Sequence, residues 1–218
     1  MKEIDPEILE NTRVFHVGSL SLTDDPSRTA TYEAINIARN SGAVISYDPN
    51  YRAALWSDPE TAQLRMQSLI PYVDMMKISD EETSLLTPYQ DPEEAIQYLL
   101  RQGVHLVAVT LGRDGALIGN ENGIVKAEGF SSHAVDTTGA GDSFWGGFLA
   151  SYLQEETSPE HLTRAQMIQF GRVGNAVASL CVERRGGISA IPEMEEIEER
   201  LRAVSYTHLR AHETLANL

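Results

Sequence analysis

Short apolar, β-branched runs alternate with amphipathic segments along most of this chain, joined by short connections. No other feature constrains the fold as strongly. Strands separated by helices pair in parallel, and the helices cover the faces of the sheet. Val14–Gly18 (VFHVG), Val44–Tyr47, Met75–Ile78 and His105–Leu111 (HLVAVTL) read as buried strands, the last as the central one. Thr29–Arg39 reads as a helix with Ala30, Ala34, Ile35, Ile37 and Ala38 near one face. Asp58-Pro59-Glu60 and Asp91-Pro92-Glu93 each supply an N-cap, a first-turn proline and an acid, so each opens a helix. Gly103 falls where the second of these should stop. Asp80-Glu81-Glu82 is a further acidic helix start, and Ala116–Gly119 with Ile124–Ala127 form a meander at a sheet edge. Gly141–Gln154 and Ala165–Val182 are two long helical patterns, and there is no internal repeat. The expected fold class is α/β with a mainly parallel sheet.

Composition narrows the partners. A length of 218 residues suits one domain or slightly more, and 42% hydrophobic with 22% charged residues is globular. With 32 acidic against 17 basic residues, the formal charge is −15. Such a surface repels phosphate backbones and anionic lipid, so nucleic acid and membranes are not expected partners. A lone cysteine, Cys181, excludes an internal disulfide and a cysteine-rich zinc site. No apolar run approaches the roughly 20 residues of a membrane span. The start, MKEIDPEILE, lacks the regions of a signal peptide, so a reduced, cytoplasmic protein is expected. The stretch Ser205–Leu218 (SYTHLRAHETLANL) has no clear apolar face and reads as translated adapter sequence, leaving 1–204 as the domain. His208 and His212 are given no role.

Chemistry concentrates in Asp136–Phe144, DTTGAGDSF, read as strand end, glycine-rich turn and helix. Gly139 and Gly141 remove side chains where a ligand could approach the backbone. The first helical turn leaves N–H groups unpaired, and its dipole favours an anion, so a phosphate fits there. Asp142 has two readings. It can act as a general base that takes a hydroxyl proton beside a transferring phosphoryl group. It can equally cap the helix, with the glycines serving tight packing. A P-loop needs a lysine that does not follow Gly141, and Phe144 occupies the third glycine position of a dinucleotide fingerprint. There is no nucleophile elbow either.

DTTGAGDSF resembles the C-terminal signature of the ribokinase-like, PfkB-type carbohydrate kinases. Further stretches agree in order: SYDPNYRAALW (Ser46–Trp56) with a D-x-N-x-R element, KISDEE (Lys77–Glu82) with N-x-x-E, TLGRDG (Thr110–Gly115) with a nucleotide turn, and NAVASLCVERRGGISAIP (Asn175–Pro192) with the closing helix and loop. The resemblance covers roughly residues 14–200, and Gly18–Arg52 looks most like a fructokinase. It implies a three-layer α/β/α fold with a mainly parallel sheet and ATP-dependent phosphorylation of a sugar, with Mg²⁺ and, in some members, K⁺.

Residue by residue, the resemblance makes Asp142 the base and Gly139, Ala140 and Gly141 the anion hole. Thr110, Gly112 and Gly115 lie against the nucleotide, and Asn175 lies near the adenine or ribose. Asn175 could otherwise be a solvent-facing polar residue. Asp48 and Arg52 contact substrate or phosphate, although Arg52 could pair with surface acids. Glu82 holds Mg²⁺ through water, or is simply a first-turn acid; Ser79 replaces the usual Asn of that element. Asp136 and Thr138 border the monovalent-cation site, or are only turn residues. Trp56, Trp145, Met66, Met75, Met76 and Met167 are read as core.

Members of the family normally begin with strands carrying a glycine-rich sugar motif and a β-lid through which homodimers form. Neither has a counterpart here, and Val14–Gly18 corresponds to a strand in the middle of that fold. The chain is therefore expected to be N-terminally truncated, with an exposed sheet edge. The expected parent is a fructokinase that converts fructose to fructose 6-phosphate. Alternatives are a 2-keto-3-deoxygluconate kinase, another sugar or nucleoside kinase, or a nucleotide-binding fragment without turnover.

Overall fold

The structure, a computed structural model, describes residues 4–203; the stretch Ser205–Leu218 lies outside the described residues. The described residues divide into two compact units. One holds the residues up to Leu111 together with Leu117–Val125 and Thr157–Arg164; the other holds Gly112–Ala116, Lys126–Glu156 and the residues from Ala165 onward.

The first unit opens with helix α1 (Pro6–Glu10), strand β1 (Val14–Gly18), α2 (Ser27–Asn40) and β2 (Val44–Asp48). It continues with α3 (Pro59–Gln67), β3 (Met75–Ser79), α4 (Thr83–Leu86), α5 (Pro92–Arg101) and β4 (Leu106–Thr110). Strands β5 (Ala116–Asn120) and β6 (Gly123–Ala127) complete a six-stranded sheet in the order β1-β2-β3-β4-β5-β6. The first four strands pair in parallel, with Val14 opposite Val44, Ser46 opposite Met75 and Met75 opposite Leu106. A two-residue link makes β5 and β6 a hairpin, so the sheet is mixed but mainly parallel. β1 forms one of its edges.

Alternate strand residues explain the core. Ile45, Tyr47, Met76, Ile78, Val107 and Val109 share one cluster with Ile35 and Ala38 of α2, Met66 of α3, and Ile96 and Leu99 of α5. The intervening residues Ser46, Met75, Lys77, Leu106 and Ala108 are buried as well. Strands buried on both faces read as continuous apolar runs, which is why the sequence betrays them. Lys77 is the exception to that composition.

One element lies outside the sequence reading, and one expectation needs correction. Five residues, Pro6–Glu10, form a helix before the first strand, capped by the Asp5 carboxylate accepting from the Glu7 N–H at 3.0 Å. This is the Asp-Pro-Glu grammar again, closing a helix too short for its periodicity to show. In α2, Ala30 and Ile37 are only half-buried while Thr31 is buried. The Thr31 hydroxyl donates to the Ser27 carbonyl at 2.8 Å, which satisfies it inside.

The second unit is built on α6 (Ala140–Tyr152) and α7 (Arg164–Cys181), with residues 194–203 also helical. Phe144, Trp145 and Phe148 of α6 are buried, Trp145 stacks on Phe148 at 5.0 Å, and Phe170 of α7 meets Phe148 edge-on. The two tryptophans and four methionines read as core are all buried. Residues 128–136 form no strand, so Asp136 does not end one. The N–H groups of Val135 and Asp136 both donate to the Val182 carbonyl just past α7, at 2.7 and 3.2 Å, and this pairing replaces a ladder.

Candidate functional site

The DTTGAGD segment lies at the surface of the second unit. Gly139, Ala140 and Gly141 are partly exposed and Asp142 is exposed. Gly139 caps α6 with φ 78°, and a Cβ on it would stand 3.1 Å from Gly187 Cα, so both conformation and space demand glycine. The Ala140 N–H donates to the Thr137 carbonyl at 3.2 Å, and the Ser143 N–H starts the regular ladder to Gly139 at 2.8 Å. The N–H of Gly141 has no acceptor among the described residues, as the first turn of a helix requires. The result is an outward donor and a carboxylate one residue apart in the same helix start.

Asp136 anchors that turn. Its carboxylate accepts from the Thr138 N–H at 2.9 Å and from the Gly186 N–H at 3.0 Å, across 50 residues of sequence. The Gly186 N–H, with the Thr138 hydroxyl and N–H and then the Arg185 charge, holds the Asp136 carboxyl down at about 2. A depressed carboxyl stabilises the fold above its unfolded value near 3.8, and that contribution disappears as pH falls toward 2. Acid unfolding of the wild type and of Asp136→Asn should therefore differ at pH 6 and converge between pH 4 and pH 2. A gap that stays constant over that window would mean the carboxylate does not hold the loop.

Asn175 is buried, not solvent-facing. Its amide donates to the carbonyls of Ala127 and Glu128 at 2.9 and 3.1 Å. Gly115 (φ 92°) has no room for a side chain, because a Cβ would stand 2.1 Å from the Ala127 carbonyl oxygen. Gly112 (φ 56°) has nothing within 4 Å of the corresponding position.

On the first unit, Asp48 ends β2 and Thr110 ends β4, the strand ends at which α/β sheets present ligands. The Thr110 hydroxyl donates to the Ile78 carbonyl at 3.3 Å. A cavity of about 510 Å³ is lined by Asn50, Arg52, Lys77, Ser79, Glu81 and Glu82 among others. Arg52 is exposed and makes no ion pair among the described residues; one of its N–H groups donates to the Tyr51 carbonyl. Glu82 closes a capping box on Ser79, accepting from its N–H and hydroxyl at 2.9 and 3.0 Å. Its other oxygen accepts from the Tyr51 N–H at 2.8 Å. The Lys77 ammonium donates to Asp48 at 2.9 Å in a buried pair. Sequence pattern alone assigns Lys77 no role. The available signal was a charge inside an otherwise apolar strand, MMKIS.

Comparison with known proteins identifies the family. The profile of the pfkB family carbohydrate kinases matches residues 1–194. The chain belongs to that family, and its mainly parallel sheet is the ribokinase-like one. It is 35% identical over 191 residues to Probable fructokinase-2 of Arabidopsis thaliana, covering 87% of this chain and 57% of that protein. It is also 35% identical over 184 residues to Putative fructokinase-8 of the same plant, covering 84% of this chain and 87% of that protein. A crystal structure of fructokinase from Vibrio cholerae O395, bound to fructose, ADP and calcium, superposes with a TM-score of 0.82 at 30% identity. That match covers 91% of this chain and 64% of the other. No helix among the described residues is long and apolar enough to cross a membrane.

Proposed function

We propose that this chain carries the phosphoryl-transfer site of an ATP-dependent sugar kinase, with the 6-hydroxyl of fructose as acceptor. The observation that carries the reading is the exposed start of α6, where the Gly141 N–H lacks an acceptor among the described residues and Asp142 follows directly. In this reading Asp142 takes the proton of the attacking hydroxyl. The Gly141 N–H faces the charge that develops on the transferring group, while the Ala140 N–H is taken by the Thr137 carbonyl, so Gly139 and Ala140 shape the turn that presents it. Gly112, with open space where a side chain would be, and Thr110 face the nucleotide. Gly115 and Asn175 shape that region by holding residues 127–129. On the first unit, Arg52 suits a phosphate, whereas the buried Asp48 carboxylate accepts from Lys77 and the Asn50 N–H and does not reach one.

Magnesium, when bound, neutralises charge on the phosphate oxygens. Glu82 suits it through water, since N–H donors fix both carboxylate oxygens while lone pairs remain. Asp136, ionised down to low pH, suits a potassium ion, with Thr138 beside it. Cys181, free of any disulfide, suits a reducing cytoplasm.

A coupled assay with fructose and Mg-ATP, run beside calorimetry with Mg-ATP, tests the proposal. Turnover that prefers fructose over 2-keto-3-deoxygluconate and other sugars supports it. Nucleotide binding without turnover on any of these sugars favours the second reading, a binding fragment. That reading draws on the share of the first relative that this chain spans, 57%.

A further inference from the structure

Between α6 and α7 the chain passes through Thr157–Arg164, a strap that belongs to the first unit. Uncharged bonds seat it. The Asn120 amide donates to the Pro159 and Leu162 carbonyls at 3.1 and 2.8 Å, and the Asn122 amide to the Leu162 carbonyl at 3.1 Å. Leu162 is fully buried. Beside these bonds stands a charged contact. Nδ1 of His105, just ahead of β4, lies 3.6 Å from Oδ1 of Asp74 and 3.6 Å from Oε2 of Glu160 in the strap. Asp74 is fixed, because its other oxygen accepts from the Ile45 N–H at 2.7 Å and its carbonyl from the N–H groups of His105 and Leu106. The contact thus sits at the N-terminal end of the sheet, away from Asp48 and Thr110.

Glu160 is the anomaly. Its Oε2 is buried and accepts no hydrogen bond among the described residues, a costly state for a carboxylate. Burial pushes this carboxyl up, but its own N–H, the Ser158 hydroxyl and the charges of His105 and His161 outweigh that and hold it below its ordinary 4.5. A lysine or arginine at position 105 would hold both carboxylates at every physiological pH, whereas a histidine does so only while protonated. The ion pairs that Asp74, Glu160 and Glu121 make among the described residues are all to histidine. His161 of the strap meets Glu121 of the hairpin link at 2.6 Å, a solvated pair that counts for less. Arg164 donates to the Asn122 carbonyl. A metal does not fit, since no group of three His, Cys, Asp or Glu among the described residues could hold one.

We infer that Thr157–Arg164 is a pH-sensitive strap, fastened to the base of the sheet while His105 is protonated between Asp74 and Glu160 and loosened when the ring is neutral. The inference stands apart from the kinase reading. Its sign follows from the two groups. Glu160, held low, keeps its charge down to below 4.5, and an imidazole ordinarily sheds its proton near about 6.5. The fastening is therefore present at pH 5.5 and lost as pH rises to 7.5.

Thermolysin cuts ahead of apolar residues, and a buried Leu162 shields the His161–Leu162 bond while the strap is seated. Cleavage of that bond in the full chain is followed by mass spectrometry at both pH values, with Glu160→Gln alongside to cancel the protease's own pH response. At pH 5.5 the wild type should be cut about threefold or more slowly than the variant, and at pH 7.5 the difference should vanish or reverse. His105→Gln should match Glu160→Gln, and combining them should add nothing. Cleavage ahead of Leu99, buried in α5, reports wider unfolding. Should the variants not fold, the wild type decides alone: its ratio of Leu162 to Leu99 cleavage should rise from pH 5.5 to 7.5. Equal cleavage of wild type and folded variants at pH 5.5, an unchanged difference at pH 7.5, or a ratio that does not rise would each overturn the inference.

Discussion

Replacing Asp142 by Asn should lower kcat for phosphoryl transfer to fructose by about 10²–10⁴-fold, the usual worth of a positioned proton acceptor. The substitution is isosteric and keeps a polar group at the first turn of α6, so the helix start should survive. The Gly139 cap and the Ser143-to-Gly139 ladder bond involve backbone and do not depend on the carboxylate. Nucleotide affinity should therefore stay within a few-fold, or improve slightly, because a negative charge leaves an anion site. If Asp142 were only a cap, the pattern would invert. Gly139 holds the N-cap position, so Asp142 in the first turn would contribute only its charge to the helix dipole, and kcat would hardly move. In any form of the protein that phosphorylates fructose, a kcat within tenfold of the wild type would remove Asp142 from the chemistry. The split between kcat and nucleotide affinity is what separates the two roles.

What the sequence disclosed and what it hid follow one physical rule. Signals spread over neighbouring residues were legible. The caps at Asp58 and Asp91 act within three residues, at 2.7 Å to the Thr61 N–H and 2.9 Å to the Glu94 N–H, so a short motif contains the whole interaction. Strands β2 to β4 were legible because both of their faces are buried, which makes them continuous apolar runs, whereas β1, expected to be buried, is an edge strand in which only Val17 is buried and His16 is exposed. The start of α6 was legible because its glycines stand together at the head of an apolar helical pattern, so the turn and the helix are written in one short stretch. Interactions across long separations were not legible. Lys77 looks like an error in an apolar strand until a carboxylate 29 residues away is brought beside it. Asp136 reads as a turn residue until Gly186 arrives from 50 residues on. Asn175 could be placed near a ligand or in solvent by sequence alone. The fold instead gives its amide to two carbonyls more than 40 positions earlier.

Gly174→Ala should destabilise the protein by about 3 kcal/mol, at the upper end of overpacking costs, although alanine is the better helix former. Gly174 lies inside α7, where a glycine by itself costs about 1 kcal/mol relative to alanine. Something else must require it. A Cβ there would stand 2.6 Å from the Phe144 carbonyl oxygen and 2.8 Å from its ring. Facing it, a Cβ on Gly147 of α6 would stand 2.9 Å from Val177 Cγ2 and 3.1 Å from Gly174 Cα. The two helices thus meet backbone to backbone, and no rotamer change can move a carbonyl aside. Relief requires α6 to shift, and Phe144 sits two residues beyond Asp142, so the shift reaches the Asp142 end of the helix. A midpoint drop of roughly 6–12 °C is expected from that energy for a chain of this size, together with a lower kcat in active protein. Gly146→Ala is the matched control, because Gly146 lies exposed in α6 with nothing within 4 Å of its missing Cβ. It should stabilise by about 0.5–1 kcal/mol through helix propensity alone. Opposite signs for the same substitution on contacting helices would place close packing, not propensity, in control of where the Asp142 turn stands. Equal signs would mean that α6 and α7 do not touch as described.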